Sequence, residues 1–420
     1  MIDLWYKNAV IYCLDVDTYM DGNGDGIGDF GGLTSRLDYL AGIGVTCLWL
    51  LPFYPSPDRD NGYDITDFYN VAPQLGTLGD FVDFTHQASE RGIRIIIDLV
   101  INHTSDQHPW FKAACADPES PFREFYVWSK TKPKDAQSGM VFPGVQTTTW
   151  TRNAQAKAYY FHRFYEHQPD LNIANPAVRE EMQRIMGFWL QLGVSGFRMD
   201  AAPFVIEQKG VKDPLFKDPL AYLTEMRTFL SWRRADAIIL AEANLEPQAV
   251  TGYFGDDNRL HMMFNFWLNQ HLFLAQATQS AEPIYRAFKD LPALPSLGQW
   301  ANFLRNHDEI DLGRLSDEER QAVYADMGPD PSMQLYDRGI RRRPAAAGAG
   351  VQPAVLAARH AGRLVRRRDR HGRRPVAVGA QSRADADAVV VRAERRLLDR
   401  RRHAAPPAHD QPHWLWLRAR

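Results

Sequence analysis

Three acidic residues each close a short apolar run: Asp200 after Gly-Val-Ser-Gly-Phe-Arg-Met, Glu242 after Ala-Ile-Ile-Leu-Ala, and Asp308 in Asn-Phe-Leu-Arg-Asn-His-Asp. A fourth run, Ile-Arg-Ile-Ile-Ile-Asp-Leu-Val-Ile, leads into Asn102 and His103. Short continuous apolar runs read as strands buried on both faces, as in parallel sheets. Polar groups at the C-terminal ends of several parallel strands are where a (β/α)8 barrel builds its active site. Carboxyl groups gathered at such a face suit glycoside cleavage, which uses one carboxyl as acid and one carboxylate as nucleophile. Asp200 follows Arg198 by two residues, so on a strand both point to one side, and the cation favours an ionised carboxylate. Taken alone, that pair would also fit a structural ion pair at a strand end. Glu242 ends a very apolar strand, a setting that favours the protonated form from which a general acid starts.

The elements that must position these groups follow an α/β alternation. Strands are expected over residues 9–15, 45–50, 93–100, 196–200, 237–242, 261–264 and 300–306, with no eighth strand visible. Helices are expected over 30–40 and 177–192, the second opening beside Pro176, which suits a first turn. Between His103 and about Leu171 lies a stretch rich in Pro, Gly, Thr and Trp with no helical period, too long for an ordinary connection. The expected domains are therefore residues 1–103 and 172–343 as two parts of one barrel, 104–171 as a small inserted domain, and 344–420 as an aberrant tail.

The 420 residues can bury a large core, and no apolar run is long enough to span a bilayer. The start, Met-Ile-Asp-Leu-Trp-Tyr-Lys-Asn, lacks a signal-peptide pattern, and the cysteines, Cys13, Cys47 and Cys115, are odd in number and scattered. Both point to a reducing, cytoplasmic setting without a disulfide framework. The net charge of −2 hides two unlike parts. Residues 341–420 carry 20 Arg, no Lys, five Asp and one Glu, a balance of +14, which leaves −16 on the first 340. A nucleic-acid arm would mix Lys with Arg, so no nucleic-acid partner is expected. An Arg/Ala/Pro stretch of this kind looks like a GC-rich gene read out of frame.

The four strand-end motifs, in this order, resemble the α-amylase family of retaining glycosidases, glycoside hydrolase family 13, over roughly residues 4 to 343. That resemblance implies a (β/α)8 TIM-type barrel with a small domain inserted after strand 3, in which the eighth strand and a C-terminal β domain are missing beyond Arg343. It implies that Asp200 is the nucleophile, Glu242 the general acid/base, and Asp308 the group that holds sugar hydroxyls in the distorted transition state. His103 and His307 resemble the family's sugar-binding histidines, and Asp98 the acid that supports Arg198. In Asp60-Asn-Gly-Tyr63-Asp-Ile, Tyr63 resembles a residue stacking on the sugar, or is a packing aromatic. Asp60 resembles one that closes the cleavage subsite against the chain end. Gln168-Pro-Asp170-Leu-Asn172 resembles a subsite wall of the inserted domain. Asp21, Asn23, Asp25, the Ile27 carbonyl and Asp29 offer oxygens at alternate positions, as a hard cation requires. They resemble a structural Ca2+ loop, or form a Gly/Asp-rich turn. No organic cofactor is expected.

Further stretches, among them Ser-Asp-Gln-His-Pro-Trp-Phe at 105–111, Met-Asp-Ala-Ala-Pro at 199–203 and Arg-Gly-Ile-Arg-Arg-Arg at 338–343, resemble the trehalose synthase branch. The implied activity is interconversion of maltose and trehalose through a covalent glucosyl-enzyme. Small α-glucosides such as maltose, trehalose and short malto-oligosaccharides would be the partners, with no membrane. The segment Cys13-Leu-Asp-Val-Asp-Thr-Tyr-Met departs from that branch. A hydrolytic α-glucosidase or α-amylase on short α-glucans is the alternative, and an inactive remnant of such an enzyme is a third.

Overall fold

The computed structural model describes residues 3–207, residues 218–341, and the backbone of residues 354–357. Seven parallel strands run in consecutive order: β1 Val10–Leu14, β2 Cys47–Leu50, β3 Arg94–Leu99, β4 Gly196–Met199, β5 Ile238–Ala241, β6 Met262–Phe264 and β7 Gln299–Ala301. Each falls within a stretch expected from its apolar run, or overlaps it. The central strands β2, β4, β5 and β6 are buried at every position, because helices cover one face and the sheet covers the other by curling on itself. The curl is visible in a contact between strands far apart in order. The rings of Trp49 on β2 and Phe264 on β6 lie 5.4 Å apart.

Alternation along each strand sorts the side chains into two cores. Ile11, Cys13, Trp49, Ile96, Ile238, Leu240, Met262 and Phe264 fill the inside of the curl. Leu48, Leu50, Ile95, Ile97, Phe197, Met199, Ile239 and Ala241 meet the outer helices. The inward column is the one that ends in the carboxylates: Ile96 is followed by Asp98, and Leu240 by Glu242. Register brings Asp98 directly beside Arg198 on β4. On the other side of β4, Gly196 lets β5 approach, since a Cβ there would stand 2.5 Å from the Ile238 carbonyl oxygen.

The helix over Pro176–Gln191 starts as its sequence suggests, with Asn175 accepting from the Ala177 amide at 3.0 Å and Pro176 in the first turn. The helix expected over 30–40 is instead two, Phe30–Ser35 and Leu37–Gly42. At Arg36 the backbone leaves the helical region and its amide turns back to Leu33 and Thr34. The inserted stretch also differs from expectation. It holds a helix, Pro109–Ala116, capped by the His108 ring, which accepts from Trp110 N. It was illegible because two turns give too few repeats for a period. A three-stranded antiparallel sheet follows, with Ala158–Phe161 between Trp128–Ser129 and Trp150–Asn153. After β7, a helix Asp317–Met327 and three two-residue strands form a small layer that packs on the helix Phe266–Ala277.

No parallel eighth strand is present among the described residues. The β1 edge that a missing eighth strand would leave open is nevertheless covered, because Ala354–Ala357 pairs with it antiparallel, Val10 opposite Ala357 and Cys13 opposite Ala354. Open N–H and C=O groups at a sheet edge recruit any short segment that can pair, and four backbone units need no side-chain periodicity. Among the described residues nothing pairs this strand with β7. The rest of the 344–420 tail lies outside the described residues. Among them, no helix is long and apolar enough to cross a membrane.

Candidate active site

At the C-terminal ends of β3, β4 and β5, one guanidinium meets three carboxylates. Arg198, 1 % exposed, places Nη1 2.6 Å from Asp98 Oδ1 and 2.5 Å from Asp200 Oδ1, and Nη2 2.7 Å from Glu242 Oε2. Asp200 and Glu242 are thus adjacent, held by the two terminal nitrogens of the same side chain. Glu242 Oε2 also accepts from the Ala201 amide at 3.3 Å. To offer that amide, Ala201 adopts a left-handed backbone, φ 47°, which a residue with a Cβ takes only at a cost.

One cation against three carboxylates leaves the cluster short of positive charge. Burial pushes Asp200 well above the ordinary carboxylate range, while Arg198 pulls it down and Glu242 and Asp98 push it further up. Asp98 is raised as well, by burial, against the pull of Arg198. Arg198, expected to keep Asp200 ionised, therefore supplies only the opposing force. Burial and the crowding of carboxylates favour the protonated forms of Asp200 and Asp98 more than a lone exposed Asp–Arg pair would.

A second group stands over these carboxylates. Tyr63 OH lies 3.0 Å from His307 Nε2, with the two rings stacked at 5.7 Å. Arg198 Nη1 reaches the same hydroxyl at 3.4 Å. Burial first, then the charge of Arg198, pushes His307 down to about 4, so it is a neutral ring at physiological pH. Asp308 lies 3.3 Å from His307 Nε2, and 42 % of its side chain stays exposed in the cleft. Desolvation by the cleft walls, then Glu242, pushes Asp308 upward, an effect that this exposure moderates. Asp60, raised by burial, accepts from Gln168 Nε2 at 2.7 Å, which ties the β2 connection to the inserted segment. His103 is placed by a backbone bridge to Asp170, with Asn102 Nδ2 3.2 Å from its Nδ1. An amide donor on Nδ1 leaves the ring proton on Nε2. Asn172 donates instead to the Glu124 carbonyl, a structural contact.

Several neighbours had no sequence signal, because tertiary packing alone brings them in. Trp49 donates from Nε1 to Asp98 Oδ2 at 2.7 Å. Glu309, pushed to about 7 by burial and then by Asp308, lies 3.7 Å from Arg338. Arg338 in turn donates to the Val141 carbonyl at 2.8 Å, joining the layer after β7 to the inserted segment. Tyr336, Phe142 and Tyr165 continue that junction as a row of rings, with centroids 4.9 and 4.8 Å apart.

The 21–29 loop stands apart from this cluster. Asp21 accepts from Gly24 and Gly26, Asn23 from Asp25, Asp25 from Ile27, and Asp29 from Gly22, Asn23 and Gly32. The donor set is all oxygen, as calcium prefers, but these oxygens are turned to backbone amides. Among the described residues, no three His, Cys, Asp or Glu side chains converge to hold a metal.

Comparison with known proteins bears on the same region. The model of the alpha-amylase catalytic domain matches residues 13–326. The trehalose synthase/amylase TreS of Mycolicibacterium smegmatis is 45 % identical over 343 residues, 81 % of this chain and 58 % of that protein. The trehalose synthase of Thermus thermophilus is 45 % identical over 344 residues, 82 % of this chain and 35 % of that one. A solved mutant of the trehalulose synthase MutB is 34 % identical, with a TM-score of 0.63, over 73 % of this chain and 58 % of its own. The chain thus spans about half the length of the curated relatives it matches.

Proposed function

The chain belongs to the α-amylase catalytic-domain family, and from that premise we propose that its site performs retaining α-glucosyl transfer, interconverting maltose and trehalose through a covalent glucosyl-enzyme. The observation that carries this reading is Asp200 and Glu242 held together on Arg198. Retaining enzymes keep their two carboxyl groups about 5–5.5 Å apart.

In the proposed cycle Glu242, as the acid, protonates the glycosidic oxygen while Asp200 attacks the anomeric carbon, and free glucose leaves. Glu242, now a carboxylate, takes the proton from the 1-hydroxyl of that glucose, and the oxygen displaces Asp200. Asp308, His103 and neutral His307 hydrogen-bond sugar hydroxyls and strengthen those bonds as the ring flattens. Tyr63 supports the ring and Asp60 closes the subsite. Asp98 and Arg198 orient the carboxylates. Hydrolysis of short α-glucans is the second reading, favoured by the exposure of Asp308, which shows the cleft open to solvent. We also propose a structural Ca2+ at the 21–29 loop, supported by its donor chemistry. A cytoplasmic location is supported by three buried, free cysteines.

Maltose supplied to the chain, with product configuration followed by NMR, tests the reading. Trehalose with retained α configuration is the expected product, and Asp200→Ala should abolish it. Glucose alone would select hydrolysis, and a β-configured first product would remove the double displacement.

A further inference from the structure

We propose that Trp49 is a positioning residue of this site: its indole N–H fixes the Asp98 carboxylate, and its ring sets the tilt of the Arg198 guanidinium. The inference rests on the active-site reading above and concerns a residue that cannot touch substrate. Trp49 is fully buried on β2, one strand away from Asp98 and two from Arg198.

Three contacts converge on this side chain. Nε1 donates to Asp98 Oδ2 at 2.7 Å, while Asp98 Oδ1 is occupied by Arg198. The carboxylate is therefore gripped on both oxygens, and its plane is defined. The guanidinium carbon of Arg198 lies 5.0 Å from the Trp49 ring centroid, within cation–π range. The His307 ring lies 5.5 Å away at 76°, edge to face.

The burial makes these contacts decisive. Trp49 and Asp98 have no exposed surface, so no water can replace the indole donor. Arg198 Nε has no hydrogen-bond partner among the described residues. Its hydrogen bonds all come from the two terminal nitrogens, and rotation of the fork about its long axis is not opposed at Nε. A flat ring against the cation opposes that rotation. Because Asp200 and Glu242 each hang on one terminal nitrogen, a tilt of the fork moves the two carboxylates in opposite senses. An indole in this place thus holds the pair at a common height. Phenylalanine would keep part of the packing and lose the donor. Asp98 Oδ2 would then face a buried, unpaired position.

The test uses the whole chain. Trp49→Phe should lower kcat on maltose about 10- to 100-fold, the cost of an orphaned charged acceptor, with KM within about twofold. A benzothienylalanine at position 49, which keeps the bicycle and lacks the N–H, should show the same loss of kcat with KM again within about twofold. Trp49→Phe added to Asp98→Asn should lower kcat no further than Asp98→Asn alone. Independently of turnover, the Trp49 indole 15N–1H resonance, assigned by its loss in Trp49→Phe, should shift when Asp98 becomes Asn. Unchanged kcat in the single variants, multiplicative losses in the double, or an indole resonance indifferent to Asp98→Asn would each overturn the proposal. If the parent chain fails to turn over maltose, the functional reading suffers, and the resonance alone decides the role of Trp49.

Discussion

At the scale of single residues, burial acts in opposite directions on acids and bases, and the two effects separate function from framework. His307 and His108 are both pushed to about 4 by burial, and only His307 sits with the carboxylates. His108 caps the Pro109–Ala116 helix and packs on Trp110, with centroids 4.2 Å apart. Its folded pKa lies below its ordinary value, so the unfolded chain binds the extra proton between about 6.5 and about 4. Stability from His108 is therefore full above pH 6.5 and lost as pH falls through that window, on the order of 3 kcal/mol. Urea melts of His108→Asn should show a lower midpoint at pH 7 and a flatter decline toward pH 4 than the parent. Parallel declines would mean that His108 does not carry this dependence. Asp308 and Glu309, raised toward about 7, work the other way and favour the folded state more at acid pH.

At the scale of elements, close approach sets the site. β4 can lie against β5 only because Gly196 has no side chain, and the obstructing atom is a backbone oxygen that cannot swing aside. Gly196→Ala should cost upward of about 3 kcal/mol and reduce soluble yield, the consequence of overpacking against backbone. A melting temperature equal to the parent's would show that β5 moves to accept it. The 21–29 loop is packed as closely, an added Cβ at Gly28 standing 2.1 Å from Val16 O. If calcium binds the folded loop alone, the melting temperature rises with calcium concentration. Asp25→Ala should abolish that rise and leave the Arg198 cluster intact. Identical melts in calcium and in chelator would remove the metal from this loop.

At the scale of the molecule, seven parallel strands are closed on one side by an antiparallel four-residue segment, not by an eighth repeat. The pairing covers the β1 edge, but it runs against the direction that carries catalytic loops to the C-terminal face. The loop that would follow a parallel eighth strand on that face is therefore not supplied among the described residues. We expect that restoring the alternative reading frame after Arg343 raises maltose turnover by at least an order of magnitude over the present chain. Equal activity in both would mean that the tail is a working part, and sequencing of the codons around 341–344 would show whether a base has been gained or lost.

What the sequence determined by itself was the local order of things: which runs are strands, where they end, and which polar residue stands at each end. Those features follow from contiguous apolar runs and from a two-residue alternation, and both are written along the chain. It also marked Asp98, Arg198, Asp200, Glu242, His307 and Asp308 as members of one face. The tertiary structure decided what the alternation cannot encode. It placed Trp49 against Asp98, two residues 49 apart in sequence, and brought Tyr63 to His307 across 244. It assembled the junction of Arg338 with Val141 and divided the 30–40 helix at Arg36. It also recruited Ala354–Ala357 to β1. Each depends on which surfaces meet once the sheet has curled, and on the desolvation that follows, so no window along the chain contains the information.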